Sequence, residues 1–543
     1  MSIARVLVLA SILIAVPSMW AAEPLQAAGP LQLNPLFTDH GILQQDTSAP
    51  IWGTATPGSA VVISFGTAEA KATADAQGAW RTSLRTPKAE PGRVDGYDLT
   101  VVSGAARIVR HDVAIGEVWI GSGQSNIDTP MSAYPVGIAE APQADHPGIR
   151  FYSGGGRSLA AGFAGQHWDR CTPETAAKAS ATGYFFSRDL HRALRVPVGF
   201  INLAWAGSAL STWVRPEWLE ADPRMAGNLA AFRAGFPEFI AARKQRIVAW
   251  QAEVDAAKAQ GKPAPKRPFS DEADAPLEHF IGEHVATHTA AVMPFACKGM
   301  LWDQGESGVG LGLKGRYDDI FDIMLRNLRT GFGHELPVIY CQMPKGGGWG
   351  PSIHTLDPAG RIPLAAVPLA ELPATPPHAG RVFSDFASET DTFLRMQALP
   401  SCYVAVTRDL QVNIHPPDKD RYGARFCLTA LGRVYGQAVE TLGPMITAAQ
   451  RDGATVRLDF SGTGSGLTAL GGKPPQGFYV SPKAGDSSWV DARIDGSHVI
   501  LSGPGIATAV TVSYANDQGG RVMWANVFSL DGLPAYPMTV LIR

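Results

Sequence analysis

Apolar and polar positions alternate in three distinct ways along the chain. From about 30 to 108, short runs such as Ala60-Val61-Val62-Ile63-Ser64-Phe65 and Tyr97-Asp98-Leu99-Thr100-Val101-Val102 are separated by Gly and Pro turns. That spacing predicts a small sandwich-like β unit. From about 110 to 440, apolar runs at 117–121, 198–205, 298–302, 336–343 and 402–408 are interleaved with helical periods. Phe186, Leu190 and Leu194 recur at i, i+4 and i+8, as do Ile320, Met324 and Leu328, so helices cover a parallel sheet in an α/β unit. Residues 445–543 return to short alternating runs (Val456-Arg457-Leu458-Asp459-Phe460; Val510-Thr511-Val512-Ser513-Tyr514) and predict a second β-rich unit. The stretch 217–268 breaks the alternation: it is rich in Ala, Glu and Lys to 260 and in Pro from 261, which predicts a helical insertion followed by a loop.

Composition narrows the choice of partners. With 45% apolar and 17% charged residues the chain is globular rather than disordered. Its net charge of −3 comes from 46 basic and 49 acidic residues scattered without a basic block, which excludes nucleic acid as an expected partner. Cys171, Cys297, Cys341, Cys402 and Cys427 lie far apart, so buried thiols with at most one or two disulfides are expected rather than a metal or redox motif. Residues 1–22 combine Arg5, two short apolar runs, Pro17 and Ala21-Ala22. They read as a signal peptide, and an exported, periplasmic or extracellular location is expected. Outside that segment no run is long and apolar enough to span a membrane. Nothing in the sequence indicates an oligomeric state.

Candidate chemistry gathers at the predicted strand ends, where open α/β sheets bind ligands. Gly121-Ser122-Gly123-Gln124-Ser125-Asn126 directly follows Val118-Trp119-Ile120. It lacks the Lys-Ser/Thr of a phosphate-binding loop and the third glycine of a dinucleotide site, and Ile127 stands where the α/β-hydrolase elbow needs glycine. Ser125 is therefore a candidate nucleophile presented on a glycine-lined turn. Near the other end, Cys402-Tyr403-Val404-Ala405-Val406 leads to Asn413-Ile414-His415-Pro416-Pro417-Asp418-Lys419 and a helix with Phe426, Ala430 and Val434 on one face. Pro416 keeps His415 out of helical geometry, and an imidazole fixed there suits a general base at neutral pH. The strand ends Asn202-Leu203-Ala204-Trp205-Ala206-Gly207-Ser208 and Leu301-Trp302-Asp303-Gln304-Gly305-Glu306-Ser307 offer the Gly207 N–H and the Gln304 amide as oxyanion donors.

Together these blocks resemble the sialate O-acetylesterase family of SGNH-type hydrolases. Gly116-Glu117-Val118-Trp119-Ile120 through Asn126 is similar to the family's nucleophile block, and Trp302 to Ser307 and Ile414-His415-Pro416-Pro417 match in order and separation. Pro35-Leu36-Phe37-Thr38-Asp39 and Gly532-Leu533-Pro534 resemble its two ends. The resemblance implies a three-layer α/β/α catalytic domain with flanking β-rich units. It also implies hydrolysis of acetyl esters on sialic acids, in some relatives on another O-acetylated carbohydrate, with no cofactor and no metal. Ser125 would attack the acetyl carbonyl, His415 would take its proton, and the N–H of Ser125 would join Gly207 and Gln304 around the oxyanion. The usual aspartate two residues before the histidine is Asn413, and three before it stands Val412. The third member is thus open between Asn413, Asp409 and a Ser-His dyad. Asp303 and Gly308 stand where the family usually has Tyr and Asn. Two other readings stay open, an esterase of acetylated xylan or another plant glycan, and a carbohydrate-binding protein on an impaired esterase scaffold.

Overall fold

One strand, Ala106–Gly123, ties the first β unit to the α/β unit. In the computed structural model, which describes residues 30–152, 165–268, 273–310, 316–341, 387–407, 409–410, 415–470, 474–483, 487–516 and 525–543, this strand is 18 residues long. Its first half pairs antiparallel with Tyr97–Ser103. Its second half is the middle of a sheet whose strands are β1 (Ala106–Gly123), β2 (His146–Tyr152), β3 (Trp168–Cys171), β4 (Val198–Asn202), β5 (Gly299–Asp303), β6 (Val338–Cys341) and β7 (Cys402–Ala405), in the order β3-β2-β4-β1-β5-β6-β7. All neighbours in that order are parallel except β3 against β2. The boundary expected at 108–110 thus falls inside a continuous strand, and the expected strands 117–121, 198–205, 298–302, 336–343 and 402–408 correspond to β1, β4, β5, β6 and β7. The signal-like segment 1–22, Val412 and Asn413 lie outside the described residues.

Burial explains the layering. β4, β5 and β6 are buried at every position, as expected where helices cover both faces of a parallel sheet. Successive residues point to opposite faces, so Val118, Ile120, Met300, Trp302, Val338 and Tyr340 enter one core with Ile320, Met324 and Leu328. Trp119, Leu301 and Ile339 enter the other with Phe186, Leu190 and Phe426. The first core is closed by the helix Tyr317–Phe332, which ends at Gly333 with φ +77. The second is closed by two helices packed on each other, Ala181–Leu194 and Lys419–Thr429. Ser180 caps the former through the N–H of Gly183, satisfying one of the donors a helix start leaves unpaired. The insertion contains the helices Pro216–Ala221 and Ala226–Ala259, the second running 34 residues with Pro237 inside it. Beyond 445, two four-stranded antiparallel sheets and a two-stranded one form the last β-rich part among the described residues. All five cysteines are buried and free.

The turn from the first β unit into the central sheet is made at Asp112. The register between Tyr97–Ser103 and β1 shifts here, and Asp112 takes φ +55, a bulge that bends the strand. Its carboxylate accepts from His40 at 2.7 Å, the N–H of Gly96 at 2.9 Å, Arg170 Nε at 2.8 Å and Arg150 at 3.2 Å. Arg150, fully buried on β2, also donates to the carbonyls of Gly41, Val94 and Asp112. Burial alone would raise the Asp112 pKa, but the bonds from His40 and Gly96 and the two guanidinium groups outweigh it and hold it at about 2, against an ordinary 3.8. A carboxyl depressed in the folded state contributes stability above its unfolded pKa and loses it as pH falls through the folded one. Asp112→Asn is expected to lower unfolding free energy at pH 7 by about 2 kcal/mol, at 1.36 kcal/mol per pKa unit. Urea titrations should show the wild type losing this increment between pH 4 and 2 while the variant does not.

Candidate active site

The carboxyl ends of β1, β4 and β5 lie side by side, because Gly121 pairs with Asn202 and Gly123 with Asp303. The chain leaves β1 through Gly123, whose φ is +108 and whose missing Cβ would lie 2.1 Å from the Asp303 carbonyl oxygen. Only glycine meets both demands. The N–H of Gln124 then donates to that same carbonyl at 2.8 Å, and the four-residue helix Ser125–Asp128 begins. Ser125 is buried at its first position, where intrahelical bonding leaves the N–H without a partner. Its carbonyl accepts from Thr129 Oγ1 at 2.6 Å, which pins the turn from below.

Gly207 stands beside this turn. The N–H of Trp205 donates to the Gly123 carbonyl at 2.9 Å and Ser208 Oγ to the same oxygen at 3.1 Å. Gly207, with φ +82 and open space around its Cβ direction, is the third residue of the turn closed by Ser208 N–H on the Trp205 carbonyl. An aromatic group seats this loop. The Trp205 ring lies 5.2 Å from His284 and 5.3 Å from His288, and Trp213 lies 5.1 Å from His284. Burial, then the neighbouring His288 and His279, push the His284 pKa down to about 3. Two residues beyond Gly207, Ala209 begins the wall of a cavity of about 750 Å³ lined also by Phe232, Phe239, Phe280 and Gly310. The inserted helix Ala226–Ala259 therefore lines a cavity that starts two residues beyond Gly207.

Gln304 is placed differently from its expected role. Its Nε2 donates to the carbonyls of Ser208 at 3.1 Å and Gly308 at 2.8 Å, which uses both amide hydrogens. The side chain thus holds two loops together and has no hydrogen left for an oxyanion. Asp409 is likewise committed: Arg425 Nη1 and Nη2 bond its two oxygens at 3.2 and 3.1 Å inside the protein. Asn413, the other expected third member, is outside the described residues.

His415 is exposed and precedes the buried Pro416. Its pKa is lowered by partial burial and then by the positive charge of Lys419, which favours the neutral imidazole a base requires. Lys419 carries this segment to the serine turn, since its Nζ donates to Asn126 Oδ1 at 2.6 Å. Asn126 Nδ2 in turn donates to Glu306 at 2.8 Å, and Gln124 Nε2 bonds the other Glu306 oxygen. The structure so brings the segments containing Ser125, Gly207 and His415 to one sheet edge. Sequence reasoning assigned no role to Asn126, Glu306 or Lys419. Among the described residues no group of three or more His, Cys, Asp or Glu side chains is arranged to hold a metal ion, and no helix is long and apolar enough to cross a membrane.

An open parallel sheet with a glycine turn and a serine at its carboxyl edge defines the class of α/β protein whose ligand site lies at the strand ends. No family model matches the sequence. Among curated proteins, sialate O-acetylesterase of Rattus norvegicus is 23% identical over 366 residues, 62% of this chain and 60% of that protein. Sialate O-acetylesterase of Mus musculus is 25% identical over 317 residues, 54% of each. The chain spans about 60% or less of the length of these relatives. Among solved structures, a carbohydrate acetylesterase from Xanthomonas citri has a TM-score of 0.69 at 25% identity, covering 94% of this chain and 99% of that one. In sequence the chain is similar to sialate O-acetylesterases, and in fold to a carbohydrate acetylesterase.

Gly123→Ala tests the geometry of the turn. A methyl group there meets backbone and a positive φ at once, so unfolding free energy should fall by roughly 3 kcal/mol, as read by denaturant titration. A variant as stable as the wild type would show that the strand ends are not held as described.

Proposed function

We propose that the protein is a serine carbohydrate O-acetylesterase with an SGNH-type three-layer α/β/α catalytic domain between β-rich units. The single observation that supports this best is the bond from Lys419 to Asn126, which links the segment bearing His415 to the residue after Ser125. The similarity to sialate O-acetylesterases makes O-acetylated sialic acid the first substrate to examine. Acetylated xylan is the alternative. An exported location, expected from residues 1–22, suits a substrate met outside the cytoplasm.

In this reading Ser125 Oγ attacks the acetyl carbonyl while His415 takes its proton. The oxyanion forms against the N–H groups of Ser125 and Gly207, each such donor being worth roughly 3–4 kcal/mol. Collapse expels the sugar hydroxyl with the proton from His415. Water, deprotonated by the same imidazole, then releases acetate from the acetyl-serine. Gln304 acts from behind, holding Ser208 and Gly308 so that the Gly207 turn keeps its shape.

Ser125→Ala should reduce acetate release from O-acetylated sialic acid or an aryl acetate at least about 10⁴-fold without altering the thermal unfolding curve, and His415→Ala should do nearly the same. A fluorophosphonate should label Ser125 covalently. Retained turnover in Ser125→Ala would dismiss the reading, and sugar binding without turnover in the wild type would favour a carbohydrate-binding protein instead. A panel of acetylated glycans separates sialate from xylan.

A further inference from the structure

We propose that Lys419 is a positioning residue, a buried cation that fixes His415 relative to Ser125 by anchoring the histidine loop to the serine turn. The inference rests on the esterase reading. Lys419 is fully buried and begins the helix Lys419–Thr429 four residues after His415. Its Nζ donates to Asn126 Oδ1 at 2.6 Å and lies 4.5 Å from the Tyr422 ring centre and 5.1 Å from that of Tyr134. Asn126 is held in turn by Glu306, which also receives Gln124. One chain of bonds therefore runs from the histidine segment through both residues flanking Ser125 to the loop after β5.

The charge is what needs explaining. A buried ammonium costs several kcal/mol in lost hydration, and a methionine would fill similar space without that cost. The groups facing Lys419 are Asp303 and Cys341 at the ends of β5 and β6, Glu306 beyond β5, Asp418 before it, and the two tyrosines. Burial pushes its pKa down to about 8, with Asp303 the largest opposing influence. Asp303 is itself fully buried, with a carboxyl raised by burial and lowered by Lys419. The cation in turn acts on His415, where it disfavours imidazolium. Lys419 so does two things for the base: it limits where the loop can stand, and it keeps the ring unprotonated and ready to accept.

Lys419→Met alone would also remove the cation that opposes the upward shift of the buried Asp303 carboxyl, so the test uses Asp303→Asn with Lys419→Met in the full chain. Three quantities are measured beside the wild type: thermal unfolding, the pH dependence of aryl acetate hydrolysis, and titration of ¹³C-labelled histidine followed by NMR. The expected result is a folded protein with kcat lowered on the order of 100-fold, as small misplacements of a catalytic group produce, and KM within about threefold. The acid limb of the rate profile and the His415 titration midpoint should both move to higher pH, because the cation opposing imidazolium is gone. A folded double variant with kcat within about threefold of wild type, or with an unmoved His415 midpoint, overturns the proposal. A wild type that releases no acetate overturns the esterase reading instead, and the histidine titration still decides on Lys419.

Discussion

The contact between Gly123 and the backbone of Asp303 is the constraint on which the site depends. Two parallel strands end side by side, and the chain leaving the first must turn across the end of the second. A side chain at 123 would occupy the space of the Asp303 carbonyl, so the turn exists only because that position has none. The same carbonyl then accepts the Gln124 N–H, and the Gly123 carbonyl accepts from Trp205 and Ser208. The turns that carry Ser125 and Gly207 are thus both tied to the backbone of Gly123.

A second constraint lies within the same strand, at the bulge between its two halves. Asp112 gathers His40, Gly96, Arg150 and Arg170 around one carboxylate, and the bulge it occupies lets β1 belong to two sheets. The bend and the end of β1 are thus both built on polar groups that are satisfied by specific partners. Such groups stabilise little relative to an apolar core of the same volume, but breaking one partner away is costly. They define where the strand bends and where it stops.

The architecture was legible where packing follows pattern. β5 and β6 are apolar on both faces, and the i, i+4, i+8 stripes at Phe186 and Ile320 lie against the two cores. Pattern failed at the boundary near 108–110, because the polar run Arg110-His111-Asp112 belongs to the more exposed half of a strand whose other half is buried. It failed also for side chains with two plausible duties. Gln304 looked like an oxyanion donor, yet its amide hydrogens go to the Ser208 and Gly308 carbonyls. Asp409 was available as an acid, yet Arg425, sixteen residues on, takes both its oxygens.

By itself the sequence determined the α/β character and offered Ser125, Gly207 and His415 as candidates. Each of these is written in local terms, as a hydrophobic period, a glycine turn or a proline that bars helix. Only the tertiary structure decided which polar groups answer one another. The Lys419–Asn126–Glu306 connection joins residues hundreds of positions apart, and a lysine in a sequence is read as exposed. Its bond to Asn126 exists only because the sheet brings the start of the helix Lys419–Thr429 beside the turn that follows β1.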